Sequence, residues 1–232
     1  MTDPSPLLSA LESRGAQPAL AWLGEAGRVE LSGHVLANWI IKSVNHLDQE
    51  LALAPGDLVV LDLPPHWKRL VLAVAAWSLG ARVELAGPTT DAEDVEDPRV
   101  AATADPASAL ADRADELLLL DAASLSLHFS GELPPLAHDW VQEVRGHADA
   151  LQVPLPGWSG PALVPAADDG TATLGERPLR RPLPMRGDGL DEADAVLGAL
   201  LVGRPLVGPA DALPRLPAAD GLVPGRPGPT RS

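Results

Sequence analysis

Six histidines, His34, His46, His66, His128, His138 and His147, are the side chains best suited to bind a metal or move a proton, and no two stand three or four residues apart. One helix face therefore cannot present two imidazoles to one ion, and the spacing predicts no metal site. Asp91, Glu93, Asp94, Glu96 and Asp97 crowd five acids between positions 91 and 97. Their oxygens suit a hard cation, but the central glycine and terminal glutamate of a calcium loop are missing. A solvated acidic loop is the expectation, with a cation or a basic partner as the alternative. Asp188, Asp191, Glu192 and Asp194 surround an expected helix start, where acids meet the positive end of the dipole, so capping explains them. Gly157-Trp158-Ser159-Gly160-Pro161 imitates a nucleophile elbow but lacks one residue before its second glycine, and Pro161 opposes the helix that should follow. Neither a dinucleotide fingerprint nor a Walker A loop occurs. With no Cys, disulfides, thiolate zinc sites, iron-sulfur clusters and thiol nucleophiles are excluded together. Of the six Trp, Trp39, Trp67, Trp77 and Trp140 fall on apolar helix faces and read as core. Trp22, in an edge hairpin, and Trp158, in a Pro/Gly loop, read as exposed aromatic contacts.

Composition narrows the partners. Seventeen Lys+Arg against 32 Asp+Glu give a formal charge of -15 over 232 residues, which argues against nucleic acid, whose phosphates must be neutralised by basic side chains. No apolar run approaches the roughly 18 to 20 residues of a membrane span, and residues 1–15 lack the basic and apolar stretches of a signal peptide. No membrane partner and a cytoplasmic location are expected. Pro and Gly, at 25 and 21 residues, are abundant but stay short of the level that marks disorder.

The elements that must position these residues follow from periodicity. Ser5-Pro6 opens a short helix that Gly15 stops, and residues 19–23 and 28–31 form a β-hairpin. Ser32 caps a long helix through Val35, Leu36, Trp39, Ile40, Val44, Leu47 and Leu51. Pro55-Gly56-Asp57 ends it, 58–63 reads as a strand buried on both faces, 66–79 as a helix stopped by Gly80, and 81–85 as the next strand, which makes a βαβ crossover. Further strands are expected at 99–103 and 116–120 around a short helix within 106–114. A second amphipathic helix is expected at 138–151, small strands at 162–164 and 171–174, and a helix at 191–202 leading into 205–207. The alternation predicts an α/β fold with a mostly parallel sheet flanked by helices and an N-terminal β-hairpin. Residues 1–212 read as a single α/β domain and 213–232 as a flexible Pro/Gly-rich tail.

Three segments carry a resemblance. They are Arg28-Val29-Glu30-Leu31-Ser32, then Leu53-Ala54-Pro55-Gly56-Asp57-Leu58-Val59-Val60-Leu61-Asp62-Leu63-Pro64, then Trp77-Ser78-Leu79-Gly80-Ala81-Arg82-Val83-Glu84-Leu85. In this order they resemble the N-terminal portion of the adenylate-forming superfamily, which includes acyl-CoA synthetases, luciferases and nonribosomal adenylation domains. The likeness is clearest over 19–86. The superfamily's phosphate loop, rich in Gly, Ser and Thr with a lysine, has its nearest counterpart in Leu127-His128-Phe129-Ser130-Gly131-Glu132. Only Ser130-Gly131 matches, and Glu132 sets a negative charge where a triphosphate would lie. Leu200-Leu201-Val202-Gly203-Arg204-Pro205-Leu206-Val207 resembles a later helix-strand unit. The superfamily's magnesium-binding Glu and ribose-binding Asp have no expected counterpart, and neither has its C-terminal catalytic Lys, since both lysines, Lys42 and Lys68, stand before residue 70.

The resemblance thus implies a short, degenerate form of the fold without its reaction. The expectation is a non-catalytic remnant acting as a small-molecule binding or protein interaction module. Its ligand would meet Ser130, Gly131 and Glu132 at the C-terminal ends of the parallel strands. No catalytic residue and no cofactor are expected. The alternative is an altered or split adenylate-forming enzyme that acts on a carboxylate with a partner domain and uses ATP and Mg. A homodimer, a partner protein and a small carboxylate are the partners this reading admits.

Overall fold

The computed structural model describes residues 4–87, 89–167, 171–174 and 177–212, so the expected tail at 213–232 lies outside the described residues. The chain runs α1 (Ser5–Ser13), β1 (Pro18–Gly24), β2 (Gly27–Ser32), α2 (Gly33–Gln49), β3 (Leu58–Asp62), α3 (Trp67–Ser78), β4 (Arg82–Ala86), β5 (Val100–Thr103), β6 (Glu116–Leu119), β7 (His138–Asp139), α4 (Trp140–Val144), β8 (Thr171–Leu174), β9 (Arg177–Arg180), β10 (Leu183–Pro184), α5 (Ala193–Leu201) and β11 (Leu206–Gly208). Five strands make a parallel sheet in the order β4-β3-β5-β6-β7, and β10-β11-β1-β2 make a second sheet in which only β1-β2 is antiparallel. The α/β class, the mostly parallel pairing and the N-terminal hairpin are as the sequence predicts.

Local chemistry explains the boundaries. Ser32 accepts the Val35 N–H at 3.2 Å and opens α2, and Gly80, at φ 79, takes the left-handed conformation that ends α3. On β3, Val59 and Leu61 join the main core under α2, α3 and α4, while Leu58 and Val60 join a second cluster with Ala86, Val95 and Leu110. That strand is buried on both faces because helices cover one side and the 92–113 segment the other. From β3 the chain crosses to β4 on one side, then returns past β3 to β5 and continues to β6 and β7. The strand order therefore reverses between β3 and β5, which is where open α/β sheets form a crevice.

Several expectations are corrected. The helix expected at 138–151 is only the five residues of α4, preceded by the short strand β7. Buried Asn45 on α2 donates to the Ala148 and Ala150 carbonyls at 3.2 and 2.9 Å and accepts the Gln152 N–H at 2.9 Å, so tertiary hydrogen bonds replace helical ones beyond Gly146. Within 106–114 only the turn Ala111–Arg113 is helical, and 162–164 forms no strand. The strand β9, pairing with β8, and β10, pairing with β11, were not predicted. No helix among the described residues is long and apolar enough to cross a membrane.

Candidate functional site

The C-terminal edge of the parallel sheet gathers the polar groups. Where β3 ends, Pro64-Pro65 turns the chain into α3, and His66 caps that helix through Nδ1, which accepts the Lys68 N–H at 3.3 Å. A ring that accepts at Nδ1 carries its neutral-form proton on Nε2, here 3.2 Å from Ser124 Oγ. Burial, with Lys68 nearby, pulls the imidazole down to about 4, so it is neutral at physiological pH. Trp22 meets it edge-on at 5.2 Å.

Lys68 is almost fully buried. Its Nζ donates to the Asp121 carbonyl at 3.2 Å and to Ser126 Oγ at 2.6 Å. Burial brings the amine down to about 8, opposed by the acids Asp121, Glu25 and Asp139. The segment after β6 is thereby pinned over the helix start. The Ser124 N–H donates to Glu25 Oε1 at 2.5 Å, and the Phe129 N–H donates to Asp139 Oδ2 at 2.8 Å.

Ser130, Gly131 and Glu132 lie exposed on this segment, near the C-terminal end of β6. Asp121 takes both donors of Ser130, the N–H at 2.9 Å and the hydroxyl at 3.1 Å. A Cβ on Gly131 would come within 2.7 Å of the Phe129 ring, so the glycine is a packing requirement. Two residues away in sequence from the strand end at Leu119, Asp121 thus occupies the donors that an anion would seek.

The other expected sites fare differently. Trp22 and Trp158, expected as exposed contacts, are both buried: Trp22 packs in the main core against His66, and Trp158 stacks edge-on with Trp77 and donates from Nε1 to the Pro161 carbonyl at 2.6 Å. Ser159 donates its hydroxyl to the Ala81 carbonyl at 2.6 Å, which ties a loop to β4's approach. In the acidic loop, Glu96 pairs with Arg82 at 3.0 Å and Asp97 with Arg113 at 2.6 Å, so arginines of the chain itself take these acids. Asp188 accepts the Leu190 N–H at 3.3 Å, at the start of the helical turn that leads into α5, as the capping expectation has it, but most of its contacts lie elsewhere. It is a buried partner of Arg69 at 2.6 Å and also accepts the His66 N–H at 3.1 Å. Trp67, Trp77 and Trp140 are core residues as expected, with Trp39 stacked on Trp140 at 5.4 Å.

The histidines, scattered in sequence, meet in space. His46 on α2, His138 on β7 and Glu143 on α4 bring one ligand atom each to within 4.8 Å of one another, the only such group among the described residues. His46 Nε2 is 2.9 Å and His138 Nδ1 2.7 Å from the same Glu143 oxygen, Oε2. Burial alone would raise the Glu143 carboxyl, but hydrogen bonds from His46 and His138 outweigh it and hold it below its ordinary value. Sequence reasoning missed this group and the His66-Lys68 pair, because neither rests on local spacing. The one available signal was that Lys68 is one of two lysines and stands at the start of a helix otherwise lined with apolar residues.

Solved structures identify the architecture. Acetoacetyl-CoA synthetase from Streptomyces lividans superposes with a TM-score of 0.62 at 17% identity, covering 88% of this chain and 37% of that one. The acyl-CoA synthetase of Brucella canis gives 0.61 at 15% identity, over 87% and 42%. The chain has the fold of an acyl-CoA synthetase N-terminal domain. By sequence it is 31% identical over 158 residues to the TIGR03089 family protein of Mycobacterium tuberculosis, 65% of this chain and 64% of that protein. The chain therefore spans less than two thirds of that relative and about two fifths of the synthetases. No family model matches it.

Proposed function

We propose that this chain is a non-catalytic member of the adenylate-forming fold that works as a binding or interaction module, with a small carboxylate as its preferred class of ligand. The observation that carries this reading is the hydrogen bonding of Ser130. Both of its donors are held by the Asp121 carboxylate, so a triphosphate would have to displace an anion already in place, with Glu132 exposed beside it. Charge-assisted hydrogen bonds are worth roughly 1.5 to 3 kcal/mol each, so exchanging attraction for repulsion at this loop removes most of a nucleotide's affinity. Lys68, which reaches the same segment at Asp121 and Ser126, is spent on holding it down.

A second reading has its own observation. Because the chain spans 37% and 42% of the synthetase chains, it would be one portion of an adenylate-forming enzyme that needs further protein to react a carboxylate with ATP and Mg. A thermal-shift panel of acyl and aryl carboxylates, run beside AMP and ATP-Mg, separates the two. A ligand present at a hundred times its Kd adds about 2.7 kcal/mol of stability. Stabilisation by a carboxylate alone supports the binding module, stabilisation by ATP-Mg supports the partial enzyme, and no shift with any carboxylate removes small-molecule binding from the proposal.

A further inference from the structure

The His46, His138 and Glu143 group lies where α2 meets β7 and α4, joined to the sheet edge discussed above through Asp139, which binds Phe129 on one side and Glu143 on the other. Both imidazole nitrogens point at Glu143 Oε2, and the three potential ligand atoms, carried on three different elements, lie within 4.8 Å of one another. In the absence of an ion, each ring must place a proton toward Glu143 Oε2 to make both hydrogen bonds. One divalent cation seated between these three atoms would take the place of both protons, once the 2.9 and 2.7 Å contacts open to leave it about 2.0 to 2.2 Å from each ligand.

The surroundings of His138 and Glu143 fit ligation as well. Metal-bound histidines hand their second ring N–H to a carboxylate, and liganding carboxylates are themselves hydrogen-bonded. His138 turns its other nitrogen, Nε2, toward Glu116 Oε2 at 3.6 Å, and the Asp139 N–H donates to Glu143 Oε1 at 3.2 Å. His46 is fully buried, and its Nδ1 is a polar atom without a hydrogen-bond partner. Ligation through Nε2 would place the ring's proton on Nδ1, which still lacks a partner, so this atom is a cost the metal bond must offset and no part of the support for the site. His147, whose ring is 5.4 Å from that of His46, is the nearest further imidazole.

We propose that His46, His138 and Glu143 form a site for one divalent transition-metal ion of the Zn2+ class, joining α2 to the β7-α4 edge. Two imidazoles and one carboxylate suit Zn2+, whereas Mg2+ prefers an all-oxygen octahedral shell, so the site discriminates by ligand type.

The test uses the full chain stripped with chelator, then titrated with Zn2+ against a chromophoric chelator of known affinity. One equivalent is expected to bind and to raise the melting temperature, with Mg2+ doing neither. His138→Asn and Glu143→Gln should each weaken binding at least about 100-fold, and Glu116→Gln, which acts through His138, about tenfold. His34→Gln, on the exposed face of α2, should bind as the parent does. Failure to bind one equivalent, or equal affinity in the parent, His138→Asn and Glu143→Gln, overturns the proposal. Should those variants fold poorly by circular dichroism, the Co2+-loaded parent decides: intense tetrahedral d-d absorption supports the site, and a weak octahedral spectrum contradicts it.

Discussion

His66 and Lys68 are titratable groups held against their ordinary charge by burial, and each makes a directional claim about pH. The imidazole lies near 4 in the fold and near 6.5 when the chain is unfolded, so the unfolded state binds the proton first as pH falls. The stability from keeping this ring neutral is present above about pH 6.5 and is lost as pH falls toward 4, up to roughly 3 kcal/mol. Chemical denaturation across that window should show the loss, and His66→Asn, which retains a capping side chain, should flatten it. Lys68 has the same sign at higher pH. Its amine lies near 8 folded against 10.5 unfolded, so unfolding free energy should rise between those values, and Lys68→Met should abolish the rise. A stability curve that is level from pH 8 to 10.5 in the parent would show that the amine is not held down.

Elements are held by a few specific contacts. Arg69 on α3 and Asp188 form a buried ion pair, with Arg69 also donating to the Leu63 carbonyl at 2.9 Å. Asp188→Asn leaves the guanidinium without its counter-charge and should cost about 3 to 5 kcal/mol, whereas replacing both residues by apolar ones should cost much less. Gly131→Ala forces the buried Phe129 ring to move and should cost about 1 to 3 kcal/mol in urea unfolding. Elements with strong periodicity were legible in the sequence: α2, α3, β3 and the hairpin follow from apolar spacing, Ser32, Gly80 and Pro55-Gly56-Asp57. The 138–151 region was not, because Asn45 reaches across from α2 to bind its carbonyls, and no local pattern encodes that. Trp22 and Trp158 were misread for a related reason. A hairpin strand and a Pro/Gly loop look peripheral in sequence, yet the second sheet and Trp77 close over them.

At the scale of the whole molecule, the fold is that of an acyl-CoA synthetase N-terminal domain, and in the proposed reading the Ser130 segment, whose donors the chain's own Asp121 carboxylate takes, stands where phosphates would be cradled. Ser130 and Gly131 are singled out in the sequence by the resemblance alone. Asp121, which accepts both donors of Ser130, is not, because nothing in its spacing marks it as a partner. The His46, His138 and Glu143 group shows the same limit, its members standing 92 and 97 positions apart from His46 and meeting only through α2, β7 and α4. The most direct measurement of the account is calorimetric titration of the parent and Asp121→Asn with ATP-Mg. The parent should release or absorb no binding heat up to millimolar nucleotide, and a micromolar Kd for ATP-Mg in the parent would contradict the claim that this chain has no nucleotide site of its own.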